Sequence, residues 1–231
     1  MHLAVLVTNT DRSDFAARHP RDGVKFAAMI TAARPDWQVT AFEVTEGEFP
    51  AALTWFDGVI IGGSPASVNG PAPWIARLEP LIRSIVAAEM PLFGACFGHQ
   101  AIARALGGRV GDNPGGWVMG VTDTRIASAP WVTGPGPIRM NAAHNEQVLD
   151  LPPGAESLGG NADCPVGFYR LGHKVFATQY HPEMTPEFVA ALVTEYASKL
   201  PPEVAERAKA SLFAQAENTR FGEMIARFFT G

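Results

Sequence analysis

The chain is organised around the stretch Pro91-Leu92-Phe93-Gly94-Ala95-Cys96-Phe97-Gly98-His99-Gln100. Residues 92–95 have the composition of a short buried strand, and the helix-forming residues 101–106 end at a glycine pair, which is a typical helix terminus. The chain is therefore predicted to turn sharply from strand to helix at Cys96. This Gly-x-Cys-x-Gly spacing is the cysteine form of the Gly-x-Ser-x-Gly turn, in which small neighbours leave room for a nucleophile in strained backbone.

A cysteine on such a turn is in a chemically favourable position. Its sulfur projects from the carboxyl end of the sheet and faces the amino end of a helix, whose dipole and free N–H groups favour a thiolate over a thiol. The same residues also fit a buried structural cysteine, with the glycines serving close packing. The stretch around Cys96 taken alone leaves both interpretations open.

Length and composition define the broad class of protein. The 231 residues, of which 47% are hydrophobic, suit one α/β domain with a large core. The two cysteines, Cys96 and Cys164, are too few for a disulfide framework and indicate a reduced compartment. The net charge of −5 and the lack of a long basic run argue against nucleic-acid and anionic-membrane partners.

The amino-terminal residues 1–7 are apolar but lack the basic leader and the long apolar segment of a signal peptide, so they are predicted to form a first strand. No apolar stretch approaches the roughly 20 residues that a membrane-spanning helix needs. We therefore expect a cytoplasmic protein.

The first half of the chain alternates between strand-like and helix-like patterns. Strands are predicted at 3–7, 38–44, 57–61 and 92–95, each as a short apolar run, and residues 8–20 are predicted to form a loop. Helices are predicted at 22–33 and 73–88, with Pro80 kinking the second or breaking it into two pieces. This alternation favours a doubly wound parallel sheet, whose sites lie beyond the carboxyl ends of the strands.

After residue 109 the pattern changes to short β-like segments without a long helix between them, which favours antiparallel or mixed pairing; these segments are 120–122, 137–140, 147–149, 166–169 and 174–180. A helix is predicted to begin near Thr185. The overall prediction is an α/β fold of three layers (α/β/α), with a mainly parallel doubly wound sheet, an antiparallel extension and C-terminal helices.

We predict one domain over 1–200 and a helical extension over 201–231 that packs on it. The extension carries five large apolar residues, Phe213, Phe221, Ile225, Phe228 and Phe229. Fully burying each side chain is worth about 1.5–3 kcal/mol, so all five are expected to be covered, either by the same domain or by a second copy of it.

A cysteine nucleophile needs a base to take its proton and a group to orient that base. His181 and Glu183, separated by Pro182, supply both types near the end of an apolar strand. Alone, this pair also fits a turn with a partly buried histidine and a surface glutamate. The backbone N–H groups of Phe97 and Gly63 are candidates to hold an oxyanion, since the first follows the nucleophile and the second has no side chain.

Three motifs together resemble the class I, or triad-type, glutamine amidotransferase family. In chain order they are the Gly-Gly loop at 62–63, the Gly-Ala-Cys-Phe-Gly-His-Gln stretch at 94–100 and the Gln-Tyr-His-Pro-Glu stretch at 179–183. The corresponding motifs of the family come in the same order. Residues 61–68, 73–75, 115–117 and 140–148 are similar to proteins related to the glutaminase domain of GMP synthetase. In the last of these stretches Glu146 replaces the usual Asp, and we interpret Glu146 as structural.

The resemblance implies that Cys96 attacks the γ-amide of glutamine, that His181 carries the proton to the departing ammonia and that Glu183 orients the imidazole. It further implies that Gly63 and Phe97 bind the oxyanion and that Gln100 helps to hold the α-amino and α-carboxyl groups of the substrate. No metal site and no cofactor are expected. The chain after Glu183 is too short for a synthetase domain, so the resemblance leaves room for a synthetase partner in trans and for a homodimer.

Three functions stay open on the sequence. The first is hydrolysis of glutamine or a related γ-glutamyl amide through a thioester, and the second is a γ-glutamyl peptidase acting on γ-glutamyl peptides or glutathione conjugates. The third is a non-catalytic ligand-binding or regulatory module, against which the intact cysteine, histidine and glutamate count. A small closed pocket would favour the first function, and an open groove beyond the γ-amide would favour the second.

Overall fold

A computed structural model describes all residues, 1–231, and it contains one large sheet with two small strand pairs at its margin. The large sheet has seven strands in the order β2-β1-β3-β4-β11-β10-β9. Its strands are β1 (His2–Val7), β2 (Gln38–Glu43), β3 (Gly58–Ile61), β4 (Leu92–Ala95), β9 (Ala155–Gly159), β10 (Phe168–Leu171) and β11 (Val175–Thr178). The first five strands of that order pair in parallel, and β10 and β9 add two antiparallel pairings at one edge.

The remaining strands form two antiparallel pairs outside this sheet. One pair joins β5 (Arg109–Asp112) to β8 (Glu146–Asp150), and the other joins β6 (Val118–Ile126) to β7 (Gly136–His144). The predicted antiparallel extension is thus confirmed, whereas β5 and β9 were not predicted because both are short and largely polar. Strand β11 differs in its pairing from the strands that precede it in the second half of the chain. It lies beside β4 in the large sheet and pairs with it in parallel.

Seven α-helices surround the sheet: α1 (Asp14–Ala17), α2 (Asp22–Ala33), α3 (Pro73–Ala87), α4 (Phe97–Ala105), α5 (Pro186–Tyr196), α6 (Pro202–Ser211) and α7 (Asn218–Thr230). Two short 3-10 turns lie at Val44–Glu46 and Leu53–Trp55. The short helix α1 interrupts the segment 8–20 that was predicted to be a loop. No helix is long and apolar enough to cross a membrane.

Both faces of the sheet are buried, as expected of a parallel sheet covered by helices. Along β1, Leu3 and Val5 belong to one apolar cluster, which contains residues of α2 and α7, while Ala4 and Leu6 belong to a second cluster, which contains residues of α3 and α4. Alternation along a strand therefore divides the core into two halves. This arrangement confirms the predicted three-layer architecture.

Pro80 was predicted to kink helix α3 or to break it in two; the break is wrong, and the kink stays a prediction. A single helix spans Pro73–Ala87 and buries Ile75, Leu78, Ile82 and Ile85 on one side. A proline removes one backbone hydrogen bond and crowds the preceding turn. Here the buried apolar face on both sides of Pro80 keeps the two turns in one helix.

Helix α7 places the carboxyl-terminal residues in the core. Phe221 is completely buried, and its ring lies 5.7 Å from that of Phe168 and 5.8 Å from that of Phe176, measured between centroids. Ile225, Phe228 and Phe229 are also buried, as are Val204 and Ala208 of α6. The expectation that Phe213 is buried was wrong, because it lies in the connection between α6 and α7 and is 95% exposed.

We expect Phe221→Ala to lower the free energy of unfolding by about 3–5 kcal/mol, the usual cost of removing a fully buried phenylalanine ring. Phe213→Ala is the matched control, since the same change at an exposed ring leaves no cavity. Denaturant unfolding of the two variants measures the difference. Equal stabilities would contradict the role assigned to α7 in the core.

Candidate active site

The register of three parallel strands gathers the predicted site residues at one edge of the sheet. Ala95 of β4 pairs with Thr178 of β11, so the residues that follow the two strands, Cys96 and Gln179, become neighbours. The backbone N–H of Cys96 donates to the carbonyl of Thr178 at 2.9 Å, which fixes this junction. On the other side, β3 ends beside β4 and leads directly into Gly63. The carboxyl ends of the three strands thus form one site.

Cys96 occupies the strained turn that the glycine spacing predicts. Its backbone angles are φ 49° and ψ −103°, outside the regions that a non-glycine residue ordinarily adopts. A Cβ at Gly98 would lie 2.2 Å from the carbonyl oxygen of Ile61, and one at Gly94 would lie 2.7 Å from the backbone of Gly98. Both glycines are therefore required by backbone packing. The side chain of Cys96 stands at the amino terminus of α4 and is 5% exposed.

His181 and Glu183 form a buried pair behind the cysteine. The ring nitrogen Nδ1 of His181 lies 2.7 Å from Oε1 of Glu183, and both residues are buried. The backbone N–H of His181 donates to the carbonyl of Asn141 at 2.9 Å, and the Asn141 side chain donates to the carbonyl of Met184 at 2.9 Å. These bonds anchor both ends of the 181–184 segment to β7. The other ring nitrogen, Nε2, has no hydrogen-bond partner.

The charge state of His181 follows from three neighbouring influences. Burial opposes its protonation, but the charge of the Cys96 sulfur and the Glu183 carboxylate outweigh burial and raise the pKa of His181 well above its usual value. The raised pKa favours the imidazolium, the protonated form of the ring. In that form it can give a proton to a leaving group.

Two other histidines near the site have the opposite charge behaviour. Burial, with the charge of a neighbouring histidine as a second cause, lowers the pKa of both His99 and His144 to about 3. They are neutral at physiological pH. No group of three or more His, Cys, Asp or Glu side chains is arranged to hold a metal ion.

The two residues predicted to hold an oxyanion both lie close to Cys96. Phe97 follows Cys96 directly, and Gly63 lies in the loop after β3. A Cβ at Gly63 would lie 2.7 Å from the ring of His181 and 3.6 Å from the Cβ of Cys96, so only glycine fits here. The Thr8 hydroxyl binds the carbonyls of Gly62 and Gly63 at 3.0 and 2.9 Å and holds this loop in place. The side chain of Phe97 is buried against Trp74, and Phe97, like Gln100, is not among the residues that line the cavity at Cys96, so its backbone N–H stays a predicted oxyanion donor.

Gln100 is positioned differently from the expectation. Its amide nitrogen donates to the carbonyl of Glu146 at 2.8 Å and to the side-chain oxygen of Gln179 at 3.2 Å, and the residue does not line the cavity at Cys96. The Glu146 side chain accepts a hydrogen bond from Ser67 at 2.9 Å, which is a structural contact between the start of β8 and the loop that follows β3. The geometry therefore gives no support to a direct contact between Gln100 and a substrate.

A cavity of about 270 Å³ opens in front of the sulfur and extends well past it. Gly63, Cys96, Ala143 and His181 lie at its reacting end. Most of the remaining wall comes from the segment 9–25, from the residues around the start of β6 and from α5; apolar residues among these are Phe15, Trp117, Met119, Phe188 and Leu192. Residues 8–20 were predicted to form a loop at the carboxyl end of the first strand, the edge of the sheet where the site lies, but no part in the site was predicted for them.

We expect Cys96 to be alkylated much faster than Cys164. Burial raises the pKa of the Cys164 thiol to about 12, so this thiol is protonated at neutral pH, whereas Cys96 opens into the cavity beside His181. Brief iodoacetamide treatment followed by peptide mass spectrometry gives the ratio of the two labels. Preferential labelling of Cys164 would contradict this assignment.

The fold and the site together define an α/β protein in which a cysteine on a strained strand-to-helix turn lies beside a buried histidine–glutamate pair. The sequence profile of the family "Glutamine amidotransferase class-I" matches residues 27–191. The chain belongs to the class-I glutamine amidotransferase family.

Individual relatives place the chain within this family. It is 30% identical over 203 residues to γ-glutamyl peptidase 3 of Arabidopsis thaliana, with 82% of each chain covered. It is 31% identical over 135 residues to a glutamine-hydrolysing GMP synthase of Aeropyrum pernix, which covers 58% of this chain and 25% of that protein. A solved glutamine amidotransferase from Thermotoga maritima has the same fold, with a TM-score of 0.77 at 19% identity, covering 100% of this chain and 98% of that one.

Proposed function

We infer that the protein hydrolyses γ-glutamyl amides through a thioester on Cys96. The observation that carries this proposal is the pairing of a strained, cavity-lining cysteine with a buried His181–Glu183 pair. The family supports the same chemistry, because it is defined by glutamine amidotransferases. A non-catalytic module would not require a strained cysteine beside a histidine whose pKa is raised.

The proposed reaction has two stages. The Cys96 sulfur attacks the γ-carbonyl carbon, and the backbone N–H groups of Phe97 and Gly63 stabilise the oxyanion. The carbon–nitrogen bond then breaks, and His181 gives its proton to the leaving nitrogen. In the second stage a water molecule attacks the thioester while His181 takes its proton, the carbon–sulfur bond breaks and glutamate leaves. Glu183 orients the ring in both stages and stabilises the imidazolium whenever the ring is protonated.

The shape of the cavity favours an amine larger than ammonia as the leaving group. Besides Cys96 and His181, the cavity is lined by many residues of the segment 9–25, including Arg12 and Arg21, and by Glu43 of β2. Ammonia would leave this space empty, whereas the amine half of a γ-glutamyl peptide would occupy it. The likeness to γ-glutamyl peptidase 3 over 82% of both chains supports the same substrate class. Glutamine is the second candidate, supported by the family and by the likeness to GMP synthase.

A substrate panel tests the proposal. Glutamine, γ-glutamyl dipeptides and a glutathione conjugate are compared, with ammonia and amine release measured separately and α-glutamyl dipeptides as chemical controls. We expect kcat/KM to be higher for the γ-glutamyl peptides than for glutamine, with no turnover of the α-linked controls. A clear preference for glutamine would favour the second candidate. Folded protein that releases neither product from any γ-linked compound would reject the function.

A further inference from the structure

The amide of Gln179 lies next to the reacting sulfur. Its nitrogen Nε2 is 3.6 Å from Sγ of Cys96, within the range of a hydrogen bond to sulfur, and Gln179 is completely buried. The backbone N–H of Gln179 donates to the carbonyl of Gly167 at 2.9 Å, which holds the residue directly after β11. Nothing in the two-stage reaction described above gives this side chain a task.

The orientation of this amide is determined by its partners. The carbonyl oxygen of Glu146 can only accept, so the atom of Gln100 that lies 2.8 Å from it must be the NH₂ group. The same NH₂ group lies 3.2 Å from Gln179, so the Gln179 atom at that contact is the oxygen. The Gln179 NH₂ group is consequently the one that faces the sulfur. The assignment of nitrogen and oxygen in both side-chain amides therefore follows from the backbone carbonyl of Glu146, which cannot donate.

Four groups near the sulfur act on it differently. The Gln179 NH₂ donates to sulfur and favours its ionised form, because a donor stabilises negative charge. The carbonyl of Ala143, at 4.0 Å, can accept only from the protonated thiol. His181 faces the sulfur from the β11–α5 connection with Glu183 behind it, and buried Cys164 is near enough for its ionisation to be coupled to Cys96.

We propose that Gln179 is a neutral hydrogen-bond donor to the catalytic sulfur and that Gln100 is a positioning residue that acts through it. The donor holds Sγ in place and supports its ionised form without adding another group that titrates. The NH₂ group of Gln100 donates to the carbonyl of Glu146 and to the side-chain oxygen of Gln179. With its oxygen held in this way, the Gln179 amide keeps its NH₂ group directed at the sulfur. This proposal rests on Cys96 being the nucleophile of the proposed function.

The test measures the rate of Cys96 alkylation by iodoacetamide as a function of pH, a readout that does not depend on any substrate. Gln179→Met keeps the length of the side chain and removes the donor. Losing a hydrogen bond to a charged group is expected to move the half-maximal pH of alkylation upward by about one unit, a roughly tenfold change in ionisation. Gln100→Met is expected to move it in the same direction by a smaller amount.

Gln147→Met is the matched control, since Gln147 is also a buried glutamine but its side chain forms no hydrogen bond with Cys96, Gln100 or Gln179. Its alkylation profile is expected to overlay that of the wild type. Circular dichroism and thermal unfolding check that each variant is folded, and Gln179→Leu replaces Gln179→Met if the latter does not fold. A folded variant without the donor whose profile overlays the wild type would overturn the proposal.

The proposed function and the proposed role of Gln179 can be rejected independently of each other. A wild-type protein that turns over no γ-glutamyl amide would reject the proposed function, whatever the alkylation profile. A wild-type protein that is active but whose Gln179→Met profile is unshifted would reject only the role of Gln179.

Discussion

Cys96→Ala is expected to reduce the turnover of γ-glutamyl amides by about 10⁶-fold, as nucleophile removal does in hydrolases that use a triad. The reason is chemical, because alanine has no group that can form the thioester. The remaining backbone donors and His181 can only assist the direct attack of water on the amide. The loss is expected in kcat, with little change in substrate binding. Rates measured with the substrates of the panel, using protein free of contaminating hydrolases, give the ratio.

The fold of this variant is expected to be unchanged. Cys96 is a small side chain and alanine fits the same space, although it keeps the unfavourable backbone angle of φ 49°. Thermal unfolding of the variant therefore provides the control. A folded Cys96→Ala protein that keeps a substantial part of its activity would show that the thioester mechanism is wrong.

His181→Ala is expected to be nearly as damaging as loss of the cysteine, and Glu183→Ala to cost less, about 10⁴-fold. His181 moves a proton in both stages, whereas Glu183 holds Nδ1 at 2.7 Å and stabilises the positive ring. Glu183→Gln keeps the shape of the side chain and removes its charge, so it separates orientation from electrostatic support. Steady-state rates of the three variants give the order.

His144→Gln is the comparison for the histidine. His144 is also buried near the site, but burial lowers its pKa to about 3, and it cannot carry a proton at neutral pH. We expect this change to cost far less than His181→Ala. If Glu183→Ala were worse than His181→Ala, or His144→Gln the most damaging of all, the assigned roles would be incorrect.

The sequence was most informative where a single local constraint determines the backbone. The glycines at 94 and 98 predicted a tight turn at Cys96, and the structure gives the reason, since a Cβ at either position would collide with backbone. The strands of the first half were predicted to within about a residue, because apolar runs between turn residues are a strong local pattern. In the second half of the chain only β11 has such an apolar run. It is also the strand of that half that pairs in parallel within the large sheet.

The sequence was least informative where the outcome depends on which distant segments meet. The contact between Gln100 and the carbonyl of Glu146 depends on how β8 lies against α4, which no local pattern encodes. Gln179 was part of a recognised motif, yet its distance from sulfur follows only from the pairing of β4 with β11. The exposure of Phe213 has the same origin, since hydrophobicity alone does not tell a helix face from a connection.

The most direct test of the central claim is affinity labelling with a chloromethyl ketone analogue of glutamine, whose electrophilic carbon lies close to where the γ-amide would be. The account predicts that the reagent modifies Cys96 alone, that turnover falls in proportion to this modification and that substrate protects against it. Peptide mass spectrometry and residual activity, measured on the same samples, give both quantities. Full turnover in protein whose Cys96 is completely modified, or inactivation with Cys96 unmodified, would contradict the account.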